Sequence, residues 1–199
     1  MTAFCDAHNH LQDQRLELNL PDLLPVMRTQ GITKCVVNGT CQEDWPRVIK
    51  LAHCYPDLII PSLGLHPWHI ATRSTDWVTK LKQFLAEGPE AVFIGECGLD
   101  RSIRDSNFEA QMEVFTIQLI LATKQDLPLS IHCVRAWGPL LEILSTNDIP
   151  KRGFLLHSYG GSPELVTELA SRGAYFSFSG RFLMNNRTRI RETFCRIPS

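Results

Sequence analysis

The sequence contains no long apolar run and no excess of charge of either sign. No uninterrupted apolar stretch approaches the roughly 18 residues that a membrane-spanning helix needs, and the first residues, MTAFCD, lack a basic segment followed by an apolar one. The 20 basic and 21 acidic residues leave a net charge of −1 over 199 residues, which excludes a histone-like protein with a global attraction for nucleic acid. We therefore expect a cytoplasmic protein with no membrane contact.

Paired cysteine motifs and nucleotide-binding motifs are also missing. The seven cysteines are odd in number and scattered, with no CxxC pair, which is typical of free thiols in a reducing compartment rather than a disulfide framework or a zinc knuckle. No P-loop and no GxGxxG motif occurs, which argues against a nucleotide cofactor. Hydrophobic residues occupy 44% of positions, enough for a folded core without disulfides.

Short apolar runs alternate along the chain with segments of helical period. The runs cover 2–8, 33–38, 58–65, 91–96, 127–132, 153–157 and 174–179, and we predict that they form buried parallel strands. The clearest helical segment, 106–124, opens with a capping box formed by Ser106 and Glu109. Because no low-complexity linker or change of composition divides the chain, we predict one α/β domain over residues 1–199.

This alternation permits either a closed (β/α)₈ barrel or an open doubly wound sheet. Nearly every predicted strand ends in a histidine or a carboxylate. In a barrel the carboxyl ends of all strands converge on one mouth, whereas the outer strands of an open sheet end far apart. We therefore favour a (β/α)₈ TIM-type barrel.

Four histidines and one glutamate lie at the ends of predicted strands one, four, five and six: His8, His10, Glu96, His132 and His157. An unpartnered buried carboxylate costs several kcal/mol, so Glu96 needs either a metal pair or the arginine of a salt bridge. Each histidine alone is compatible with a hydrogen bond inside a core. Together the five side chains offer ligands for two divalent ions, which activate water for hydrolysis.

Five motifs along the chain carry a family resemblance. They are Asp6-x-His8-x-His10-Leu11, Gly64-Leu65-His66-Pro67, Gly95-Glu96-x-Gly98-Leu99-Asp100, Ile131-His132 and Leu156-His157-Ser158-Tyr159-Gly160-Gly161. In order and spacing they resemble the TatD family of metal-dependent hydrolases, over essentially the whole chain. The resemblance implies a (β/α)₈ barrel of the amidohydrolase superfamily, with residues 1–199 as one TatD-like hydrolase domain.

The resemblance also implies a function, a deoxyribonuclease that cleaves phosphodiester bonds of DNA with a metal-activated water. The implied metal ligands are His8, His10, Glu96, His132 and His157. The first two would hold one ion and the last two the other, with Glu96 as the bridge. His66 would contact the substrate near the scissile group or donate a proton. The two ions are Zn²⁺, Mn²⁺, Mg²⁺ or Ni²⁺, among which the residue types do not discriminate.

The sequence departs from the family pattern in two places. Arg135 lies three residues after His132 rather than two, which weakens its assignment to phosphate binding. The family's eighth strand, whose aspartate binds the first metal, is not found before Ser199. We therefore expect a C-terminally truncated barrel of about seven βα units, with a monomer as the state of the full-length form.

Two alternatives to a deoxyribonuclease stay open. The same two-metal site polarises a carbonyl as readily as a phosphoryl oxygen, so an amidohydrolase-like enzyme acting on esters or amides, including an aminoacyl-tRNA ester, is one alternative. A catalytically impaired remnant is the other. Trp68 and Trp137 follow predicted strands three and five, where an indole either stacks on a base or packs at the rim.

Overall fold

The computed structural model describes residues 3–104, 107–180 and 188–198, and these form seven strands. The strands are β1 (Phe4–Asn9), β2 (Ile32–Asn38), β3 (Ile59–Leu63), β4 (Phe93–Asp100), β5 (Leu129–Val134), β6 (Phe154–Leu156) and β7 (Ala174–Phe176). The helices are α1 (Leu20–Thr29), α2 (Trp45–Cys54), α3 (Trp77–Glu87), α4 (Phe108–Gln125), α5 (Trp137–Thr146), α6 (Leu165–Ser171) and α7 (Thr188–Cys195). None of these helices is both long and apolar enough to cross a bilayer.

The chain divides into two compact units, Met1–Cys97 and Gly98–Ser199, which are called the first and second units below. Strand β4 begins in the first unit and ends in the second. The expectation of a single domain over residues 1–199 stays a prediction.

In the first unit, β1, β2, β3 and β4 pair in chain order, and every pair is parallel. Parallel neighbours need a crossover, which the helices between the strands supply. Trp45 at the start of α2 is fully buried, and its indole N–H donates to the carbonyl of Gly64 over 2.8 Å. That hydrogen bond attaches α2 to the segment following β3, which carries His66.

In the second unit, β5, β6 and β7 pair in parallel and in chain order. Helix α4 is capped by Asn107, whose side chain accepts from the amide of Ala110 over 3.0 Å. Ser106 of the predicted capping box lies outside the described residues. The cap therefore comes from an asparagine, another residue type that favours this position.

The predicted strands occur in the predicted order, but their ends differ. β4 continues past Glu96 to Asp100, whereas β3 ends at Leu63 and β6 at Leu156. An apolar run marks the buried part of a strand, while the strand itself extends as far as its backbone conformation and hydrogen bonds do. His157 consequently lies in the segment after β6 rather than at the end of the strand, and His66 lies in the segment after β3.

Candidate metal centre

The carboxylate of Glu96 is the centre of a histidine cluster in the first unit. Only 4% of Glu96 is exposed. Its Oε2 lies 3.4 Å from Nε2 of His8 and 3.3 Å from Nε2 of His10, and its Oε1 lies 3.3 Å from Nε2 of His66. The structure therefore brings together, within this unit, all four of its predicted site residues.

The spacing between Glu96 and each of two histidines suits a cation held between the two groups of that pair. Direct nitrogen–oxygen hydrogen bonds are mostly 2.7–3.2 Å long, so separations of 3.3–3.4 Å from Glu96 to His8 and His10 are long for such bonds. Two ligands of one tetrahedral ion, each at about 2.0–2.1 Å, lie roughly 3.3–3.4 Å apart. The donor set, imidazole nitrogens with a buried carboxylate, is also one that divalent transition metals accept. The residues present thus fit a divalent ion.

A backbone carbonyl fixes the orientation of His10. Its Nδ1–H donates to the carbonyl oxygen of Asn38 over 2.8 Å, which turns the lone pair of Nε2 towards Glu96. Burial by itself lowers the pKa of His10, but the Glu96 carboxylate and the Asn38 carbonyl outweigh it and raise the pKa above its ordinary value. A nitrogen lone pair and a carboxylate facing each other require a cation or a proton between them.

His66 has the opposite orientation of donor and acceptor. The backbone N–H of Trp68 donates to Nδ1 of His66 over 3.1 Å, so the proton of a neutral His66 is on Nε2. That N–H points towards Oε1 of Glu96. In this tautomer Nε2 of His66 presents an N–H and no lone pair to the carboxylate, which is the arrangement of a donor and not of a metal ligand.

Sequence reasoning missed the polar side chains behind His10. Gln12 donates to the same Asn38 carbonyl over 2.6 Å and to the Asp44 carboxylate over 3.2 Å. Asp44 in turn accepts from the backbone and the hydroxyl of Thr40. A signal was available, because Asn38 ends an apolar run in the sequence just as Glu96 does. Its function resides in a backbone carbonyl, however, which the residue type does not reveal.

In the second unit, His132 lies between a carboxylate and another histidine. Its Nε2 is 3.1 Å from Oδ2 of Asp100, and its Nδ1 is 3.3 Å from Nε2 of His157. With Nε2–H donated to Asp100, the Nδ1 lone pair faces His157. Carboxylates commonly orient metal-binding histidines in this way. The two histidines predicted to share an ion are thus neighbours, and Asp100 orients one of them.

Hydrogen bonds keep Asp100 ionised. Burial alone raises the pKa of this carboxyl, but the hydroxyl and amide of Ser102, together with His132, outweigh it and lower the pKa below its ordinary value. The Ser102 amide donates over 2.7 Å. An ionised Asp100 is the form that accepts the proton-bearing nitrogen of His132.

Three further residues that the sequence offered as substrate contacts are Arg135, Trp137 and Trp68. Arg135, directly after β5, is exposed and has a left-handed backbone with φ of 53°. Trp137 packs edge-to-face on Tyr159, with 4.8 Å between ring centroids, so it is a packing residue. Trp68 is 66% exposed.

The parallel strand order and the histidine–carboxylate clusters are typical of metal-dependent hydrolases of the barrel class. The chain belongs to the TatD related DNase family, whose model matches residues 5–199. It is 33% identical over 175 residues to the 3'-5' ssDNA/RNA exonuclease TatD of Erwinia tasmaniensis, covering 86% of this chain and 66% of that protein. It is 29% identical over 196 residues to the Uncharacterized metal-dependent hydrolase YjjV of Escherichia coli, covering 98% of this chain and 75% of that one.

Solved structures also match this chain over nearly its whole length. The crystal structure of YjjV, a TatD homolog from Escherichia coli, matches with a TM-score of 0.90 at 28% identity, covering 98% of this chain and 75% of that chain. The phosphotriesterase homology protein from Escherichia coli matches with a TM-score of 0.65 at 15% identity, over 98% of this chain and 76% of that one, which shows the fold alone.

The comparisons confirm the predicted family and the predicted fold class, an incomplete (β/α)₈ barrel. The names of the relatives, metal-dependent hydrolases and exonucleases, support the predicted class of enzyme, a metal-dependent hydrolase of the DNase type. The chain spans about two thirds of the length of the TatD exonuclease that it matches, at 66%.

Proposed function

We propose that this chain carries the metal centre of a divalent-metal-dependent nuclease that hydrolyses phosphodiester bonds of DNA. One observation supports this most strongly: the Glu96 carboxylate faces Nε2 of His8, His10 and His66 at 3.3–3.4 Å. The exonuclease named TatD supplies the substrate class, single-stranded nucleic acid. The side chain of His10 is 41% exposed and lines an open groove of about 460 Å³, which gives a substrate access to this face.

The proposed metal ligands are His8, His10, Glu96, His132 and His157. His8, His10 and Glu96 hold one divalent ion, and His132 with His157 contributes to a second. When bound, such ions supply a Lewis acid for the phosphoryl group and lower the pKa of a bound water. The identity of the metals, among Zn²⁺, Mn²⁺, Mg²⁺ and Ni²⁺, is a question for metal titration.

The chain's own residues prepare this chemistry by fixing protons and orientations. The Asn38 carbonyl keeps the His10 proton on Nδ1, so Nε2 is the coordinating atom. The Trp68 amide keeps the His66 proton on Nε2, so His66 donates to Glu96 or, when substrate is bound, to an oxygen of the phosphodiester. Asp100 holds His132 by its Nε2–H. Fixed donors of this kind lower the reorganisation needed in the transition state.

A cytoplasmic location and a monomeric state belong to the same proposal. All seven cysteines are free thiols, which supports a reducing compartment. Sedimentation of the full-length form tests the monomer.

The proposed activity is tested with single-stranded DNA oligonucleotides labelled at the 3' or the 5' end, incubated with Mn²⁺ or Mg²⁺. We expect cleavage that a chelator abolishes and added metal restores. The Glu96→Gln variant should be inactive, whereas Glu90→Gln, a matched change at an exposed glutamate six residues earlier, should retain wild-type activity.

Two results would contradict the proposal. Cleavage that persists in chelator or in Glu96→Gln would come from another site or a contaminant. Hydrolysis of an aminoacyl ester without any cleavage of the oligonucleotide would move the chain to the amidohydrolase alternative.

A further inference from the structure

Trp68 is an exposed aromatic side chain beside the candidate metal centre. It is 66% exposed and lies in the short 3₁₀ helix Pro67–Thr72, which follows the carboxyl end of β3. Its ring meets the ring of His66 edge-to-face, with 4.8 Å between centroids and 73° between planes. Most of the indole therefore faces solvent while one part of it contacts the cluster.

The burial of the other two tryptophans of the first unit makes this exposure distinctive. Trp45 is 0% and Trp77 is 5% exposed, and both belong to the core. The exposed Phe4 lies at the amino end of β1, which is the opposite end of the strands. Among the described residues of the first unit, Trp68 is thus the aromatic side chain that is mostly exposed at the carboxyl ends of the strands.

The backbone of Trp68 is held in place and its ring contacts His66, although the indole is exposed. Pro67 restricts the backbone before it, and the Trp68 amide donates to Nδ1 of His66, a residue only 2% exposed. A ring fixed in advance loses little conformational entropy when a flat ligand stacks on it. Exposed tryptophan in such a position is suited to binding rather than to stabilising the fold.

A single imidazole ring, that of His66, lies between Trp68 and the Glu96 carboxylate. His66 contacts Trp68 on one side, and its Nε2 lies 3.3 Å from Oε1 of Glu96 on the other. A planar part of a substrate stacked on the indole would therefore be adjacent to the part of the same substrate that is held at the metal centre.

We propose that Trp68 is a stacking platform for the nucleobase next to the scissile phosphodiester. This inference rests on the proposed function and adds a subsite to it. Base–aromatic stacking tolerates any base because each has a π-face, so the platform would position single-stranded nucleic acid without selecting a sequence. It would bind a paired base poorly, since that base is already stacked within the duplex.

The test combines Trp68→Ala and Trp68→Phe with oligonucleotides that carry one abasic site, moved one position at a time. Trp68→Ala should raise KM by roughly 5- to 100-fold, with a much smaller change in kcat, and Trp68→Phe should restore most of the loss. The decisive expectation concerns the position of the abasic site. Where the missing base is the one that stacks on Trp68, wild type and Trp68→Ala should have the same KM. Phe4→Ala, a matched truncation of an exposed aromatic residue, should behave as wild type at every position.

The outcomes separate the two claims. If wild type cleaves single-stranded DNA in a metal-dependent manner but Trp68→Ala keeps its KM within twofold, or shows the same defect at every abasic position, the platform is wrong and the proposed function stands. If wild type with metal neither cleaves nor binds the oligonucleotide, the proposed function fails and the platform fails with it. Thermal unfolding of each variant identifies a defect that comes from misfolding.

Discussion

The close approach of β3 and β4 leads to a sharp prediction about Gly64. A Cβ atom at this position would lie 2.7 Å from Cα and the carbonyl carbon of Gly95 and 2.8 Å from the carbonyl oxygen of Glu96. All three are backbone atoms, so no side chain can rotate away. The backbone around Glu96 must move by roughly 0.7 Å to restore an ordinary contact of 3.4 Å.

Two measurable effects follow for Gly64→Ala. Overpacking of this kind costs about 1–3 kcal/mol of unfolding free energy, and each kcal/mol lowers Tm by roughly 2–4 °C in a chain of this size. The displaced strand also carries the Glu96 carboxylate away from His8 and His10. We expect Mn²⁺ affinity to fall by about 10- to 100-fold, as when a supporting group of a metal site is removed.

Glycine-to-alanine substitutions at two other positions provide controls, one expected to be milder than Gly64→Ala and one expected to be more severe. A Cβ atom at Gly138 in α5 would meet no neighbouring atom within 4 Å, so Gly138→Ala should be neutral or stabilise by up to about 1 kcal/mol. Gly98 has a φ of +141°, and its Cβ would lie 1.9 Å from the carbonyl oxygen of His132, so Gly98→Ala should be the most destabilising of the three.

Urea unfolding followed by circular dichroism, with metal-free protein, gives the stability of each glycine variant, and a calorimetric Mn²⁺ titration gives its affinity. If Gly64→Ala matches wild type in both measurements, or if Gly138→Ala loses as much stability as Gly64→Ala, the close backbone packing at Gly64 does not have the proposed effect.

Three further predictions concern single side chains. If Glu96 serves both ions, Glu96→Ala should abolish turnover more completely than His132→Ala; equal losses in kcat/KM would show that the bridging role is misassigned. Asp44→Ala removes the acceptor for the Thr40 amide and hydroxyl and for Gln12, so we expect a loss of about 2–4 kcal/mol in urea unfolding, with a smaller loss for Asp44→Asn; an unchanged midpoint would contradict this. Burial raises the pKa of the Cys97 thiol, so at pH 8 it has less thiolate than an ordinary cysteine, and a thiol reagent should modify the exposed Cys54 in the folded protein but Cys97 only after unfolding; fast labelling of Cys97 would be inconsistent with its burial.

Much of the fold was predictable because parallel strands buried on both faces form continuous apolar runs. The order of the strands and the family followed from those runs and from five motifs in register. The ends of strands were less predictable. β4 continues through Cys97, Gly98 and Leu99 to Asp100, beyond the apolar run that predicted it, because strand conformation does not stop where the run does.

The candidate site was predictable as a set of residue types but not as a set of atoms. A histidine in the sequence does not reveal which nitrogen carries its proton. That is decided by the Asn38 carbonyl for His10 and by the Trp68 amide for His66. Backbone groups are common to all residues, so no residue pattern announces them. The distinction between His10, whose Nε2 lone pair faces Glu96, and His66, whose Nε2–H faces it, therefore emerges only from the structure.

We propose above that the first unit holds a divalent cation between its histidines and Glu96. Anomalous diffraction at the manganese edge, from crystals grown with Mn²⁺, tests it most directly. We expect a peak about 2.0–2.2 Å from Nε2 of His10 and from a carboxylate oxygen of Glu96, with His66 donating to the carboxylate and not bonded to the ion. No peak at Glu96 in Mn²⁺-saturated crystals, or a peak coordinated by Nε2 of His66 in place of His10, would contradict it.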